Sequence, residues 1–98
     1  MIFIIKGMKY DTEKMELIAN VVKWYSFDNA LLEALYGREV GRNYYCKIWK
    51  SKKRNWILTH EVDGKTVGEA IEEDEAKELL MRYAPIEYEK IYGEIPEE

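Results

Sequence analysis

The chain holds one cysteine, Cys46, and one histidine, His60, the side chains best suited to nucleophilic and acid–base chemistry near neutral pH. One of each cannot supply the ligand set of a common zinc site, and a single cysteine leaves no internal disulfide. His60 alternates with Leu58 and Val62, and Cys46 with Tyr44 and Ile48. The expectation is a half-buried structural histidine and a buried thiol. A reactive thiol would need a base and an electropositive niche, which His60 and Lys47 could supply only if their strands pair. One enzymatic constellation can be assembled. Asp63-Gly64-Lys65 forms an acid-x-Lys pair, and Asp28 or Glu33 could add a carboxylate for magnesium, as in a metal-dependent nuclease. Asp-Gly after an alternating run is also an ordinary hairpin turn. No phosphate-binding Gly-rich loop, serine elbow or His-Glu-x-x-His pattern occurs. The reading is non-enzymatic, with no cofactor and no metal.

Charge is the stronger signal. Residues 42–54 hold Arg42, Lys47, Lys50, Lys52, Lys53 and Arg54 with no acid, whereas residues 55–98 hold thirteen acids against four bases. Lys50, Lys52, Lys53 and Arg54 lie between Trp49 and Trp56, with Tyr45 and Lys47 on the same strand face as Trp49. Cations interleaved with aromatic rings are what single-stranded nucleic acid binding requires, although lysines at a hairpin also guard against edge-to-edge aggregation. The acidic run Glu72, Glu73, Asp74, Glu75 and Glu78 suggests the opposite partner, a basic groove on a protein. Acids at a helix start also complement its dipole. Such a bipolar molecule can offer a positive edge to one partner and a negative surface to another, including a second copy met through exposed tyrosines.

These residues must be positioned by a small fold. Ninety-eight residues, 47% hydrophobic and 35% charged, suit one domain over residues 1–98, too apolar for disorder. The apolar run Ile2 to Ile5 is far too short to span a membrane, and no other run approaches the needed length. Met1 to Lys6 lacks a basic n-region and a small-residue cleavage site, so a cytoplasmic chain is expected. Ile2–Tyr10 reads as one strand. Residues 13–25 fit strand or helix, and the β-type composition of Val21 to Tyr25 favours strand. Leu31–Tyr36 and Asn43–Lys50 flank Gly37–Arg42 as a hairpin would. A second hairpin turns at Ser51–Asn55 into Trp56–Val62, and Asp63-Gly64 leads to a short strand over Lys65–Ile71. Beyond it Ala76, Leu79, Leu80 and Tyr83 recur at helical spacing. Pro85 then opens a second helix bearing Tyr88, Ile91 and Tyr92, stopped by Gly93. The fold class is α+β: an antiparallel meander of four to five strands with a C-terminal helical hairpin.

Lys9-Tyr10-Asp11-Thr12-Glu13, the stretch from Leu35-Tyr36 to Gly41-Arg42-Asn43-Tyr44-Tyr45, and the ending from Glu75-Ala76-Lys77 to Glu87-Tyr88-Glu89-Lys90-Ile91-Tyr92-Gly93 resemble short proteins of conjugative elements, plasmids and phages in Gram-positive bacteria. The resemblance implies an antagonist of host defence, anti-CRISPR-like, with a host protein or nucleoprotein complex such as a CRISPR nuclease as partner. The basic turn Lys50–Arg54 departs from the Gly-rich, acidic or neutral stretch that such proteins carry there. The expected function is therefore a protein-binding inhibitor that uses the acidic run. The alternative is a nucleic-acid-binding accessory protein that uses the basic hairpin 42–56.

Overall fold

In the computed structural model, which describes Met1–Glu98, the chain opens with a hairpin of β1 (Ile2–Ile5) and β2 (Met8–Asp11). The single strand expected over Ile2–Tyr10 is divided by Lys6-Gly7. Their φ angles of 51° and 78° are the left-handed pair of a type I′ turn. A turn of 3₁₀ helix over Thr12–Lys14 follows, capped by the Asp11 carboxylate, which accepts the Glu13 N–H at 3.1 Å. Residues 13–25 resolve mainly as strand, in β3 (Glu16–Ser26), with a bulge between Leu17 and Ala19.

The hairpin expected between Leu31–Tyr36 and Asn43–Lys50 is not formed. Leu31–Tyr36 belongs to helix α1 (Ala30–Tyr36). Its Ala-Leu-Leu-Glu-Ala-Leu run is rich in helix formers and free of β-branched residues. Asn29 caps it by accepting the Leu32 N–H at 3.2 Å, and Gly37, at φ 69°, stops it. β4 (Gly41–Lys50) pairs instead with β3, from Ser26↔Gly41 to Glu16↔Lys50. The Phe27 N–H donates to the Val40 carbonyl at 2.8 Å and closes the base of the α1 excursion.

β4 turns through Ser51–Asn55 into β5 (Trp56–Val62), and Asp63-Gly64 leads to β6 (Lys65–Ile71). The sheet runs β3-β4-β5-β6, an antiparallel meander. α2 (Glu73–Tyr83) and α3 (Pro85–Tyr92) complete the α+β fold. Pro85 occupies the first turn of α3, where its missing N–H costs nothing.

Alternation along the strands places Val21, Cys46, Ile48, Trp56 and Leu58 on one face, packed with Ala76, Leu80 and Ala84 of the helical segment. Burial of each large apolar side chain contributes about 1.5–3 kcal/mol. Tyr83 is exposed and Ala84 takes the inward position instead. The opposite face is covered in part by the β1–β2 hairpin. A Cβ on Gly68 would come within 2.6 Å of the Phe3 ring, so Gly68 is the place on β6 where the hairpin docks. Helices, sheet and hairpin thus form three layers, with fully buried Ile57 on the hairpin side. The molecule is only 22 Å thick in its shortest dimension, and its radius of gyration is 15.4 Å. A globule of this length would have about 13 Å. Surface is abundant and the core is small.

Candidate functional site

The helix-facing side of the sheet carries a polar cluster. Lys23 on β3 pairs with Glu69 on β6 at 3.0 Å and with Glu75 on α2 at 2.6 Å. The Tyr25 hydroxyl donates to the other Glu69 oxygen at 2.6 Å. Burial alone would raise the Glu69 carboxyl, but the hydrogen bonds from Tyr25 and Lys23 outweigh it and hold the group below its ordinary range. Burial likewise works against the Lys23 ammonium, and Glu75 and Glu69 reverse it, so its pKa rises. The Tyr25 hydroxyl is driven upward by burial and by its bond to Glu69.

His60 and Cys46 join this cluster as directly paired residues on β5 and β4. The histidine ring stacks on Tyr25 at a centroid distance of 4.6 Å and leans on Tyr44 at 4.9 Å. His60 is 7% exposed and Cys46 1%. Burial pushes the thiol pKa up against the opposing pull of Tyr25 and Lys23, and the thiol donates to the Tyr44 carbonyl at 3.5 Å. Lys47, the cation that a reactive cysteine would have used, projects to the other face with Tyr45 and Trp49. This arrangement keeps sulfur protonated and out of reach. The nuclease constellation fares no better. Asp63 sits at φ 50° in the β5–β6 turn, Glu33 lies on α1 and Asp28 just before it, and no three His, Cys, Asp or Glu side chains gather where a metal could be held.

The basic stretch is divided by the strands that carry it. Trp56 is buried in the core beneath Lys50, whose ammonium lies 5.6 Å from the ring centroid. Trp49, on the opposite face, donates its indole N–H to Thr59 at 2.9 Å. The two tryptophans expected to flank the cations therefore offer no joint stacking surface. What the fold adds is a second source of charge. β2 and the 3₁₀ turn bring Lys9 and Lys14 beside Lys52 and Lys53, forming a groove of about 280 Å³. Lys14 also joins Lys50 and Arg54 along the neighbouring depression. Lys9 and Lys14 were missed from the sequence because nothing local reveals that the N-terminal hairpin lies against the turn of another.

The acidic run also splits. Glu75 is committed to Lys23, and Glu73 accepts the Tyr92 hydroxyl at 3.2 Å. Burial and this carboxylate push the Tyr92 pKa up to about 12. Glu72, Asp74 and Glu78 remain on the α2 surface.

A third surface had no counterpart in the sequence reading. No residue of α1 is buried. Leu31 is 70% exposed, Leu35 71%, and Phe27 and Tyr36 are also open. At the base of this excursion Trp24, on the outer face of β3, is exposed, and Tyr45, its diagonal neighbour on β4, is 89% exposed. Domains rarely leave so many large apolar side chains in water unless they meet something. A further pocket of about 250 Å³, between the hairpin and the sheet, is lined by Phe3, Tyr45, Lys47 and Trp49. It is smaller than the roughly 300–1,000 Å³ of ordinary ligand sites.

The chain matches no protein-family model. Comparison with curated proteins and with solved structures likewise finds no match. No helix is long and apolar enough to cross a membrane.

Proposed function

We propose that this protein is a non-enzymatic binding module that acts by docking on another macromolecule through the α1 end of its sheet. The carrying observation is that α1 is built from leucines and a tyrosine yet buries none of them. Exposed apolar area costs roughly 25 cal/mol per Å² relative to burial, a cost that docking removes. Trp24, Phe27, Tyr36 and Tyr45 are of the residue types that dominate interface energetics, supplying large area with few rotatable bonds. The non-catalytic reading is supported by the protonated, buried Cys46, by His60 packed in a ring cluster with Tyr25 and Tyr44, and by Asp63 in a tight turn.

The partner proposed is a protein of a host nucleoprotein complex, which the chain inhibits or modulates in the cytoplasm, as the resemblance to mobile-element proteins suggests. A CRISPR nuclease is one such complex. Two features support this choice. The chain has a basic end and an acidic α2, and a nucleoprotein assembly presents surfaces of both signs. Glu72, Asp74 and Glu78 then serve as steering charges around an apolar contact, in place of the acid-centred contact expected from the sequence.

The test replaces Leu35 with a photo-crosslinking amino acid and captures partners in host cells, with the folded Leu31→Ser/Leu35→Ser/Tyr36→Ser variant as competitor. The reading holds if one partner crosslinks, is displaced by the unlabelled parent chain and is not displaced by the variant. Equal competition by parent and variant would remove α1 from the interface.

A further inference from the structure

The basic groove is made by two segments remote in sequence. β2 and the following 3₁₀ turn supply one wall with Lys9, Tyr10 and Lys14, and the β4–β5 turn supplies the other with Lys52 and Lys53. None of these lysines is spent on an ion pair, because both ion pairs of the molecule belong to Lys23. Ammonium groups facing one another across a groove repel, and an anion lying between them turns that repulsion into attraction. A small monovalent anion would satisfy one wall. A chain of regularly spaced negative charges satisfies both.

We propose that this groove binds the phosphodiester backbone of single-stranded nucleic acid. The lining favours a single strand over a duplex: Tyr10 lies in the groove with Met8 and Met15, and an aromatic ring beside unpaired cations is the arrangement on which an unstacked base rests. Duplex bases are stacked on one another and cannot use that ring. Lys and Arg contacts to phosphate carry no sequence information, so binding is sequence-tolerant. The Asp11 carboxylate at the groove is occupied by the Glu13 N–H, while Glu13 and Glu16 beside the adjoining depression moderate the field and keep affinity dependent on low salt. This differs from a site made by the basic turn alone, because half of its cations come from the N-terminal segment. It does not depend on the α1 surface.

The experiment measures fluorescence anisotropy of a labelled oligothymidylate of about 20 nucleotides between about 50 and about 200 mM salt. The parent chain should bind with log affinity falling linearly in log salt. Each lost phosphate contact should make that slope shallower by about 0.7, so Lys9→Ser/Lys14→Ser and Lys52→Ser/Lys53→Ser should each make it shallower by about 1.4, with circular dichroism confirming both are folded. Leu35→Ser should leave the isotherm unchanged. Tighter binding of a duplex of equal length, a slope insensitive to Lys9→Ser/Lys14→Ser, or no binding at the lowest salt would each overturn the proposal. The last result leaves the α1 docking reading standing, since that reading is tested by crosslinking.

Discussion

Tyr25 and Glu69 belong to the two outer strands of the meander, yet the Tyr25 hydroxyl donates a 2.6 Å hydrogen bond to the Glu69 carboxylate. Three strand intervals of roughly 4.8 Å separate such residues in a sheet. The bond exists because three long side chains, Lys23, Tyr25 and Glu69, lean inward over β4 and β5. Buried Cys46 is the small residue on the intervening β4. The cluster therefore ties β3 to β6 and, through Glu75, ties both to α2.

Glu69→Gln should destabilise the domain by about 1–2 kcal/mol, the range of a charge-assisted bond discounted for partial exposure. Because the Glu69 pKa is lowered in the folded state, its contribution is present above the ordinary carboxylate value of about 4.3 and is lost as pH falls through the lower folded value. Lys23 behaves oppositely. Its raised pKa makes its contribution complete below about 10.4 and lost as pH rises beyond the folded value. Urea melts of parent and Glu69→Gln at neutral and acidic pH should converge as the solution is acidified. A gap that stays constant would show that the charge is not what stabilises the contact.

Within the acidic run, charge reversal should separate structural from surface carboxylates. Glu75→Lys brings a second ammonium to Lys23 and should cost about 1 kcal/mol or more, while Glu72→Lys, Asp74→Lys and Glu78→Lys should each stay within about 0.5 kcal/mol of the parent. Thermal melts of the four single variants decide this. Equal effects would contradict the assignment.

Gly68→Ala should cost about 1–3 kcal/mol, because the added methyl would meet the Phe3 ring at 2.6 Å. The penalty should shrink in a Phe3→Leu background, where the obstructing ring is gone. A double-mutant cycle showing strict additivity would mean that the hairpin does not dock on β6 as described.

Replacing Lys52 and Lys53 with serine should leave stability within about 0.5 kcal/mol, since both are exposed in a turn. Lys50→Ser should cost slightly more, about 0.5–1 kcal/mol, because Lys50 covers the Trp56 ring. Circular dichroism melts distinguish the two.

Leu31→Ser/Leu35→Ser should likewise be nearly neutral for stability, as both side chains stay mostly exposed in the fold. Size-exclusion chromatography should show no aggregation relative to the parent. A large fall in melting temperature would mean that α1 packs on the domain and is not free to dock.

Local chemistry determined much of this protein by itself. Period-two alternation reported β4, β5 and β6, Asp63-Gly64 its type I′ turn, and acids before an apolar stripe the start of α2, because each depends on residues within a few positions. Alternation also placed Cys46 and His60 on inward strand positions. Two segments differ from expectation because the deciding residues are few: Lys6-Gly7 divide the first strand, and Asn29 with Gly37 bound α1 as a helix. Only the tertiary structure decided the rest. Strand parity sent Trp49 and Trp56 to opposite faces, sheet order brought Lys23 and Tyr25 to Glu69, and docking of the hairpin placed Lys9 and Lys14 beside Lys52 and Lys53. Those relationships join residues between seven and forty-six positions apart, and no local preference carries information over such separations. They are set by which apolar faces the chain can bury together.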